Sequence, residues 1–434
     1  MKKILSIALA LTMILGVILL ASCENTESSE KGESEPLLPA PTLEKFDVAD
    51  DFKIGIICLH DENATYDNNF LNAIKSVQKA LGLRDDQVII KANVPESNEC
   101  YDAAVDCVNK GCKIVFADSF GHESFMAQAA VDYPSVEFCH ATGTSAATKG
   151  LSNFHNAFAA IYEGRFLSGI VAGLKLNEMI SNGKIKAEEA IIGYVGAFTY
   201  AEVISGMTSF YLGAKSVCPS ATMKVRYTGS WYDQAFEQEA ANALITTDKC
   251  VLISQHADSL GAPTACELAG VPNVSYNGST YSAGESTFLI SSAINWAPYF
   301  MYIIKCVQSG EQIAANWIGT IETGSIILSG VNLDAVADGT QEAVEKTINE
   351  FKAGTRKVFD VSTFTVTVTE NQNSAATVDS NGHLTSYLAD VDGDFAPDTN
   401  VVHDGYFDES GSNYRSAPYF DLIIDGITNI NTAF

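Results

Sequence analysis

The chain has 434 residues, which is too long for one ordinary hydrophobic core and fits two lobes with additional segments. Its content of 47% hydrophobic and 18% charged residues excludes an intrinsically disordered chain. A formal net charge of −27 disfavours nucleic acids and anionic membrane surfaces as partners.

Residues 1–22 are predicted to be a secretory signal. A basic start is followed by an apolar core at 4–20, and the core ends in Leu-Ala-Ser before Cys23. This ending resembles the lipobox of bacterial lipoproteins, which implies cleavage before Cys23 and diacylation of its thiol. A plain signal peptide or an uncleaved anchor helix is the alternative interpretation.

The stretch after Cys23 is predicted to be a flexible tether. Residues 24–50 are acidic, rich in Ser and Pro, and offer few side chains to bury. We therefore assign 23–50 to the acylated cysteine and its tether. Together with the signal, this predicts an extracytoplasmic body anchored by lipid to the membrane of a bacterial cell envelope.

A strand followed by a helix opens the folded part. The apolar run at 54–58 is too short for a helix, and a polar loop follows it at 60–69. Apolar residues then recur with helical spacing from Phe70 to Leu81. A buried parallel strand feeding a covering helix has this pattern, and the loop between them lies where open α/β sheets bind ligands.

The same unit repeats along the chain and predicts an α/β protein with two doubly wound lobes. We assign 52–157 and 286–318 to the N-terminal lobe, and 158–285 and 319–370 to the C-terminal lobe. The acidic stretch 371–434 is left as a C-terminal extension. Because the chain passes between the lobes more than once, both sheets are expected to face one hinged cleft.

The loops that follow the strands share one chemistry: aromatic rings alternate with short neutral or acidic groups. Aromatic faces can sandwich a flat ring, while carboxylates and amides can hold hydroxyl or ring N–H groups. These loops contain no Arg or Lys for a phosphate or carboxylate ligand, so a neutral, ring-containing polar solute is expected. The predicted ligand-binding residues are Asp67, Asn68, Phe70, Ser119, Phe120, Gly121, Phe198, Trp231, Asp233, His256, Asp258 and Asn277.

Several of these residues also have a structural interpretation. Asp67 and Asp258 could each cap the helix that follows, since Asp is favoured at helix N-termini. Phe70 could be the first core residue of its helix, and Trp231 could pack between loops. His256 fits a hydrogen-bonded loop histidine better than a catalytic one.

Catalytic, cofactor and metal motifs are missing from the sequence. It contains no G-x-S-x-G, H-E-x-x-H or phosphate-binding glycine loop, so neither an enzyme nor a cofactor is expected. The acidic run at 390–394 departs from a calcium loop, and we expect no metal site. Apart from Cys23 there are nine cysteines without C-x-x-C spacing, which predicts mostly buried free thiols.

Long stretches of the chain resemble the basic membrane protein family. They include KIVFADSFGHESFMAQAAVDYPSVEFCHATG at 113–143, NFHNAFAAIYEGRFLSGIVAG at 153–173 and NWAPYFMYIIKCV at 295–307, and the resemblance spans about 52–330. Members are lipoprotein solute-binding components of ABC importers, and the best known bind purine nucleosides. The resemblance implies the type I periplasmic-binding-protein fold with three crossovers between the lobes, and ABC permease and ATPase subunits as partners.

The resemblance also suggests roles for individual residues. Asp67 and Phe70 match the family's aspartate and base-stacking phenylalanine in spacing, and Asp258 matches an aspartate of the sugar-facing lobe. Segment 276–279 lacks the Asp-x-Asp motif that many nucleoside binders carry, so the expected ligand is a purine nucleoside or a free nucleobase. A surface nucleoside-processing enzyme and a ligand sensor for a membrane receptor are the alternative functions.

Overall fold

The computed structural model describes residues 32–411 and 414–433. The predicted signal peptide and the predicted lipidation site at Cys23 lie outside the described residues. All nine cysteines within them are buried and free, as the sequence predicted. Within these ranges, none of the helices combines the length and apolar character needed to cross a bilayer.

Strands and helices alternate through the first part of the fold. They are β1 (Ile54–Ile57), α1 (Thr65–Leu81), β2 (Val88–Lys91), α2 (Asn98–Asn109), β3 (Ile114–Ala117), α3 (Glu123–Asp132), β4 (Glu137–Ala141), α4 (Ala146–Lys149), β5 (Phe154–Ala159) and α5 (Ile161–Ser181). Every residue of β1 and β3 is buried, as expected for parallel strands covered on both faces. Helix α1 buries its predicted apolar stripe and ends at Gly82, which adopts the left-handed φ of 70° that suits a glycine C-cap.

A second series follows from residue 191. Its elements are β6 (Ile191–Gly196), α6 (Ala201–Val217), β7 (Thr222–Tyr227), α7 (Gln234–Thr246), β8 (Leu252–His256), α8 (Gly261–Ala269), β9 (Asn273–Tyr276), β10 (Phe288–Ile294), α9 (Ala297–Ser309), β11 (Asn316–Gly319), β12 (Ile326–Leu328) and α10 (Thr340–Lys352). The remaining strands are β13 (Ala376–Val378), β14 (Leu384–Ala389), β15 (Thr399–Asn400), β16 (Val402–His403), β17 (Tyr406–Phe407) and β18 (Ile427–Asn429).

Two sheets organise the lobes. The first has the order β11-β5-β4-β3-β1-β2 and the second the order β12-β10-β9-β8-β6-β7-β18. All neighbours are parallel except β12, which runs antiparallel to β10. The chain passes from one sheet to the other after β5, after β10 and after β11. This confirms the predicted two-lobe α/β fold with three crossovers.

One predicted lobe boundary is wrong. Residues 286–294 were assigned to the N-terminal lobe, but β10 pairs with β9 and β12 in the second sheet. The chain returns to the first lobe only with α9, which packs on α1, and with β11, which pairs with β5. An apolar run such as β10 predicts a buried strand, but the run contains nothing that selects one of two similar sheets.

The predicted flexible tether is also wrong over its described part. Residues 32–38 pair with 328–333 through two isolated bridges, with backbone hydrogen bonds from Ser34 N to Val331 O (2.9 Å) and from Leu328 N to Leu38 O (3.0 Å). Ala49 N donates to Gln308 Oε1 at 2.9 Å. A chain of low hydrophobicity is therefore ordered here by pairing with the backbone of the neighbouring segment.

The C-terminal extension is part of the same folded body. Phe420 of the extension stacks on Phe359 of the C-terminal lobe with ring centroids 4.3 Å apart, and Phe407 lies edge-on to Phe420 at 4.7 Å. Strand β18 then joins the C-terminal lobe as the outer neighbour of β7. The Tyr162 hydroxyl also meets the Ser410 hydroxyl at 2.6 Å.

Candidate functional site

A cleft with about 390 Å³ of empty space, part of which is open solvent, lies between the two lobes at the carboxyl ends of the central strands of both sheets. Both lobes contribute side chains, as expected for ligand sites of open α/β sheets. The N-terminal lobe contributes Leu59, His60, Tyr66, Asp67, Ser119, Phe120 and Thr142. The C-terminal lobe contributes Glu202, Trp231, His256, Asp258, Tyr276 and Asn277.

Asp67 lies in the first turn of α1 and is 1% exposed. It does not cap the helix, because the N-cap position is Ala64. Instead, its Oδ1 accepts a hydrogen bond from the backbone N–H of His60 at 2.7 Å. The strand-end loop thus holds this carboxylate at the edge of the cleft in a fixed orientation.

Asp258 faces Asp67 from the C-terminal lobe. Its Oδ1 accepts a hydrogen bond from Asn277 Nδ2 at 3.0 Å, which joins the loops after β8 and β9. Burial, and then the negative charges of Asp67 and Glu237, raise the pKa of Asp258 well above its usual value. A carboxyl group in this environment is favoured in its neutral form, which can donate as well as accept a hydrogen bond.

The ring of Tyr276 forms part of the cleft wall in front of a buried cation. The guanidinium of Arg165 lies 5.0 Å from the Tyr276 ring centroid and donates to Ser275 O at 3.1 Å and to Ser254 Oγ at 2.7 Å. Arg165 is fully buried, with no carboxylate within salt-bridge distance among the described residues. It therefore braces the ends of β8 and β9 and places positive charge behind an acidic cleft.

Two buried side chains of the cleft offer unused hydrogen-bonding atoms. The hydroxyl of Tyr276 and the ring nitrogens of His256 make no hydrogen bond to another described residue, although His256 Nε2 lies 3.6 Å from Glu202 Oε1. Burial lowers the pKa of His256 and raises that of Tyr276, so both are neutral near pH 7. Because buried polar atoms are almost always paired, a bound solute is the natural source of their partners.

Aromatic side chains from both lobes meet at the cleft. The rings of Phe120 and Tyr200 have centroids 5.6 Å apart, and His60 lies 5.5 Å from Tyr232 in the same way. The backbone N–H of Thr65 also donates across the cleft to Asp258 O at 2.9 Å. The lobes are therefore in direct contact, and the structure shows them closed.

Seven of the predicted binding residues line the cleft. They are Asp67, Ser119, Phe120, Trp231, His256, Asp258 and Asn277. Among the described residues the lining includes no lysine or arginine, which agrees with the sequence pattern. Ligand contact by these side chains remains a prediction.

Phe70 does not line the cleft, so its predicted base-stacking role is wrong. Its ring is fully buried and stacks on Trp296 with centroids 4.4 Å apart, with Phe116 at 5.4 Å. Helical periodicity turns position 70 towards the sheet, where these rings fill the core. The structural interpretation of Phe70 is therefore the correct one.

The other predicted residues outside the lining have identifiable local roles. Asp233 caps α7 by accepting from Phe236 N at 3.0 Å, and Gly121 N donates to Glu96 Oε1 at 2.7 Å. Phe198 stands behind Trp231, edge-on at 5.0 Å. Asn68 is half-buried in α1 and does not line the cleft.

The predicted set omits six lining residues: Leu59, His60, Tyr66, Thr142, Glu202 and Tyr276. Glu202 lies in the first turn of α6, Tyr276 is the last residue of β9, and Thr142 directly follows β4. Tyr66 belongs to the helix, and only the approach of α1 to the cleft reveals it. The rule that polar residues after strands face the ligand could have indicated His60, Thr142 and Glu202, but it does not apply to an apolar residue, a helix residue or a residue within a strand.

A buried acidic group lies behind Asp67. Ligand atoms of Cys58, Asp67 and Asp118 fall within 4.8 Å of one another, so these residues form a potential metal-ligand set. The backbone N–H of Leu59 donates to Asp118 Oδ1 at 3.0 Å. Burial, and then the charge of Asp67, raise the pKa of Asp118 well above its usual value.

The family described as "ABC transporter substrate-binding protein PnrA-like" matches residues 60–359. The chain belongs to this family. The match covers both lobes, including all the cleft-lining residues except Leu59, and ends before the C-terminal extension. The description of this family is that of the substrate-binding component of an ABC transporter.

Individual relatives differ in their named ligands. The chain is 33% identical over 240 residues to a putative ABC transporter glucose-binding protein of Haloferax volcanii, and this match spans 55% of the chain and 57% of that relative. It is 29% identical over 307 residues to a purine-binding protein of Brucella abortus, covering 70% of the chain and 81% of the relative.

Solved structures show the same fold. A solute-binding protein of an ABC transporter system from Conexibacter woesei has a TM-score of 0.57 at 19% identity, covering 70% of this chain and 98% of that one. One from Aeropyrum pernix has a TM-score of 0.59 at 13% identity, covering 74% and 94%. These likenesses concern the fold alone.

Proposed function

We propose that this protein is the extracytoplasmic solute-binding lipoprotein of an ABC importer, and that it captures a purine nucleoside or nucleobase between its lobes. The proposed contacts are Asp67, Ser119, Phe120, Trp231, His256, Asp258 and Asn277. The proposed partners are the ABC permease and ATPase subunits, and the membrane through the lipid on Cys23.

The observation that carries the proposal is the composition of the closed cleft. It combines aromatic faces, carboxyl groups from both lobes and unpaired buried polar atoms, without a basic side chain among its described lining. Such a lining favours a neutral heterocycle that stacks and exchanges hydrogen bonds at its edges. The purine-binding relative of Brucella abortus supports this ligand class.

The proposal is tested with the purified protein by thermal-shift screening, followed by calorimetric titration. Adenosine, adenine, guanosine, glucose and amino acids are compared. We expect stabilisation by at least one purine, with micromolar affinity or better. Stabilisation by glucose or amino acids alone would contradict the purine assignment and leave the importer role intact.

Two matched variants locate the site. Asp258→Asn should weaken purine binding at least tenfold, about 1.4 kcal/mol, because it removes a carboxyl group that faces the solute. Asp338→Asn changes an exposed aspartate outside the cleft and should leave the affinity unchanged. Equal affinities of both variants would remove Asp258 from the site.

The lipid anchor has its own test. In cells that process lipoproteins, Cys23→Ser should move the protein from the membrane fraction to the soluble fraction, because the variant lacks the thiol that carries the lipid. Unchanged membrane retention of this variant would rule out anchoring at Cys23.

A further inference from the structure

The C-terminal extension helps to form a second cavity beside the cleft. This side chamber contains about 880 Å³ of empty space, part of which is open solvent. The N-terminal lobe contributes Phe120 and Thr144, the C-terminal lobe Thr199 and Tyr200, and the extension Phe395 and Arg415. The family match ends at residue 359, so the wall contributed by the extension lies outside the part of the chain that the family describes.

The side chamber adjoins the cleft directly. Phe120, Thr142 and Glu202 line both cavities. At this boundary the ring of Phe120 meets the ring of Tyr200, with centroids 5.6 Å apart and one ring from each lobe. A solute in the cleft would therefore have one edge close to the side chamber.

The wall formed by the extension packs against the N-terminal lobe. Gly393 has φ 81°, and a Cβ atom there would lie 1.8 Å from Thr144 O, so the two backbones are in tight contact. Thr148 Oγ1 donates to Gly393 O at 3.3 Å, and Ser416 N donates to Asn316 Oδ1 at 3.1 Å. These backbone and side-chain contacts fix the position of the wall relative to the N-terminal lobe.

The lining of the side chamber disfavours an anionic group, because it includes the carboxylates of Glu202 and Asp421. Arg415, the cation among its described residues, already donates to Asp390 Oδ2 at 3.2 Å and to Pro418 O at 3.1 Å. Its charge is thereby neutralised, which disfavours a phosphate. The ring of Phe395 is 86% exposed and that of Phe120 is 43% exposed, so both have faces free for stacking.

We propose that the side chamber is a subsite for an uncharged, ring-bearing substituent of a solute whose purine lies in the cleft. Phe395 and Tyr200 stack on the substituent, and the hydroxyls of Thr144 and Thr199 bind its polar atoms. This inference rests on the proposed function. It makes the extension a determinant of which purine derivatives the protein accepts.

The test compares adenosine with N6-benzyladenosine and 5′-benzylthioadenosine, which extend the ligand at opposite ends. Isothermal titration of the purified protein should show at least fivefold tighter binding of one derivative than of adenosine. Phe395→Ser should reduce this ratio to near one. Leu268→Ser replaces another exposed apolar side chain, which lines neither cavity, and should preserve the ratio.

The outcomes separate the two proposals. Binding of adenosine with no gain for either derivative, or a gain that survives Phe395→Ser, would overturn the subsite alone. Failure of adenosine, adenine, guanosine and both derivatives to bind would contradict the purine function itself. Because Phe395 is almost fully exposed, its replacement should leave the melting temperature unchanged.

Discussion

Two phenylalanines illustrate how residues of the same type take different roles. Both Phe70 and Phe120 follow a strand of the first sheet, and both fit a ring that stacks on a ligand. Phe70 points into a core of aromatic rings, whereas Phe120 is partly exposed at the cleft. The different roles of the two rings depend on which side chains face the sheet. They are therefore determined by packing and not by residue type.

Phe70→Ala and Phe120→Ala should therefore have opposite effects. Phe70→Ala should lower the free energy of unfolding by about 3–5 kcal/mol, because it leaves a cavity in the core. Phe120→Ala should change stability by less than about 1 kcal/mol but weaken solute binding severalfold. Urea denaturation and titration calorimetry measure the two effects; a large stability loss in Phe120→Ala would contradict this assignment.

A buried carboxyl group makes stability depend on pH. Glu237 is fully buried and accepts hydrogen bonds from Asp233 N and Ser259 N, each at 3.2 Å. Burial raises the pKa of Glu237 from 4.5 to about 7, against the opposing effect of its hydrogen bonds to Ser259. The folded state thus binds more protons than the unfolded state between these pH values, and stability falls as the pH rises through them.

Glu237→Gln should remove this contribution, because glutamine resembles the protonated side chain. Relative to the parent protein, the stability of the variant should rise by up to about 3 kcal/mol between pH 4.5 and pH 7.5. Urea denaturation across this pH range measures the difference in the free energy of unfolding between the variant and the parent protein. The other titrating groups are the same in both proteins, so their contributions cancel. Parallel pH profiles of the two proteins would show that Glu237 does not titrate there.

At the level of elements, the second sheet contains strands from distant parts of the chain. β18 pairs with β7, and Asn431 holds the end of β7 through side-chain bonds to Tyr227 N and O, both at 2.8 Å. The last described residues thus complete the edge of the C-terminal lobe. Three apolar and polar residues at 427–429 are too short a pattern to predict such a strand.

Truncation after Ile424 should destabilise the C-terminal lobe. It removes β18, exposes the edge of β7 and loses the burial of Ile427, together about 3 kcal/mol or more. Truncation after Thr432 keeps β18 and Asn431 and is the control. Chemical denaturation compares the stabilities of the two truncated proteins. Equal stabilities would mean that β18 contributes little to the stability of the C-terminal lobe.

At the level of the whole molecule, the closed cleft depends on contacts between the lobes. Thr65 N bonds to Asp258 O, and the ring pairs Phe120–Tyr200 and His60–Tyr232 cross the same gap. Further stabilisation of the closed arrangement is expected from a bound solute. A solute that contacts both lobes supplies it by binding the closed state better than an open one.

Small-angle X-ray scattering should detect this closure. With saturating solute, the radius of gyration should approach about 21 Å, the value for a compact chain of roughly 400 residues. Without solute it should be larger, because the lobes separate about the three crossovers. Identical scattering curves with and without a ligand of proven affinity would show that closure is not coupled to binding.

The amino-acid sequence by itself determined the repeated strand–helix units, the two lobes and the positions of the strand-end loops. Hydrophobic periodicity is a local property, and the carboxyl ends of parallel strands must share one edge. Seven cleft residues, including Asp67, Asp258 and Asn277, could therefore be predicted from their positions after strands.

Only the tertiary structure decided that β10 joins the second sheet and that residues 32–38 pair with 328–333. It also decided that Phe70 belongs to the core and that the extension forms one wall of a second cavity. Each of these depends on contacts between residues far apart in the chain, and one local pattern is compatible with several such partners. Packing selects among them because only one arrangement fills both cores and pairs the buried backbone groups.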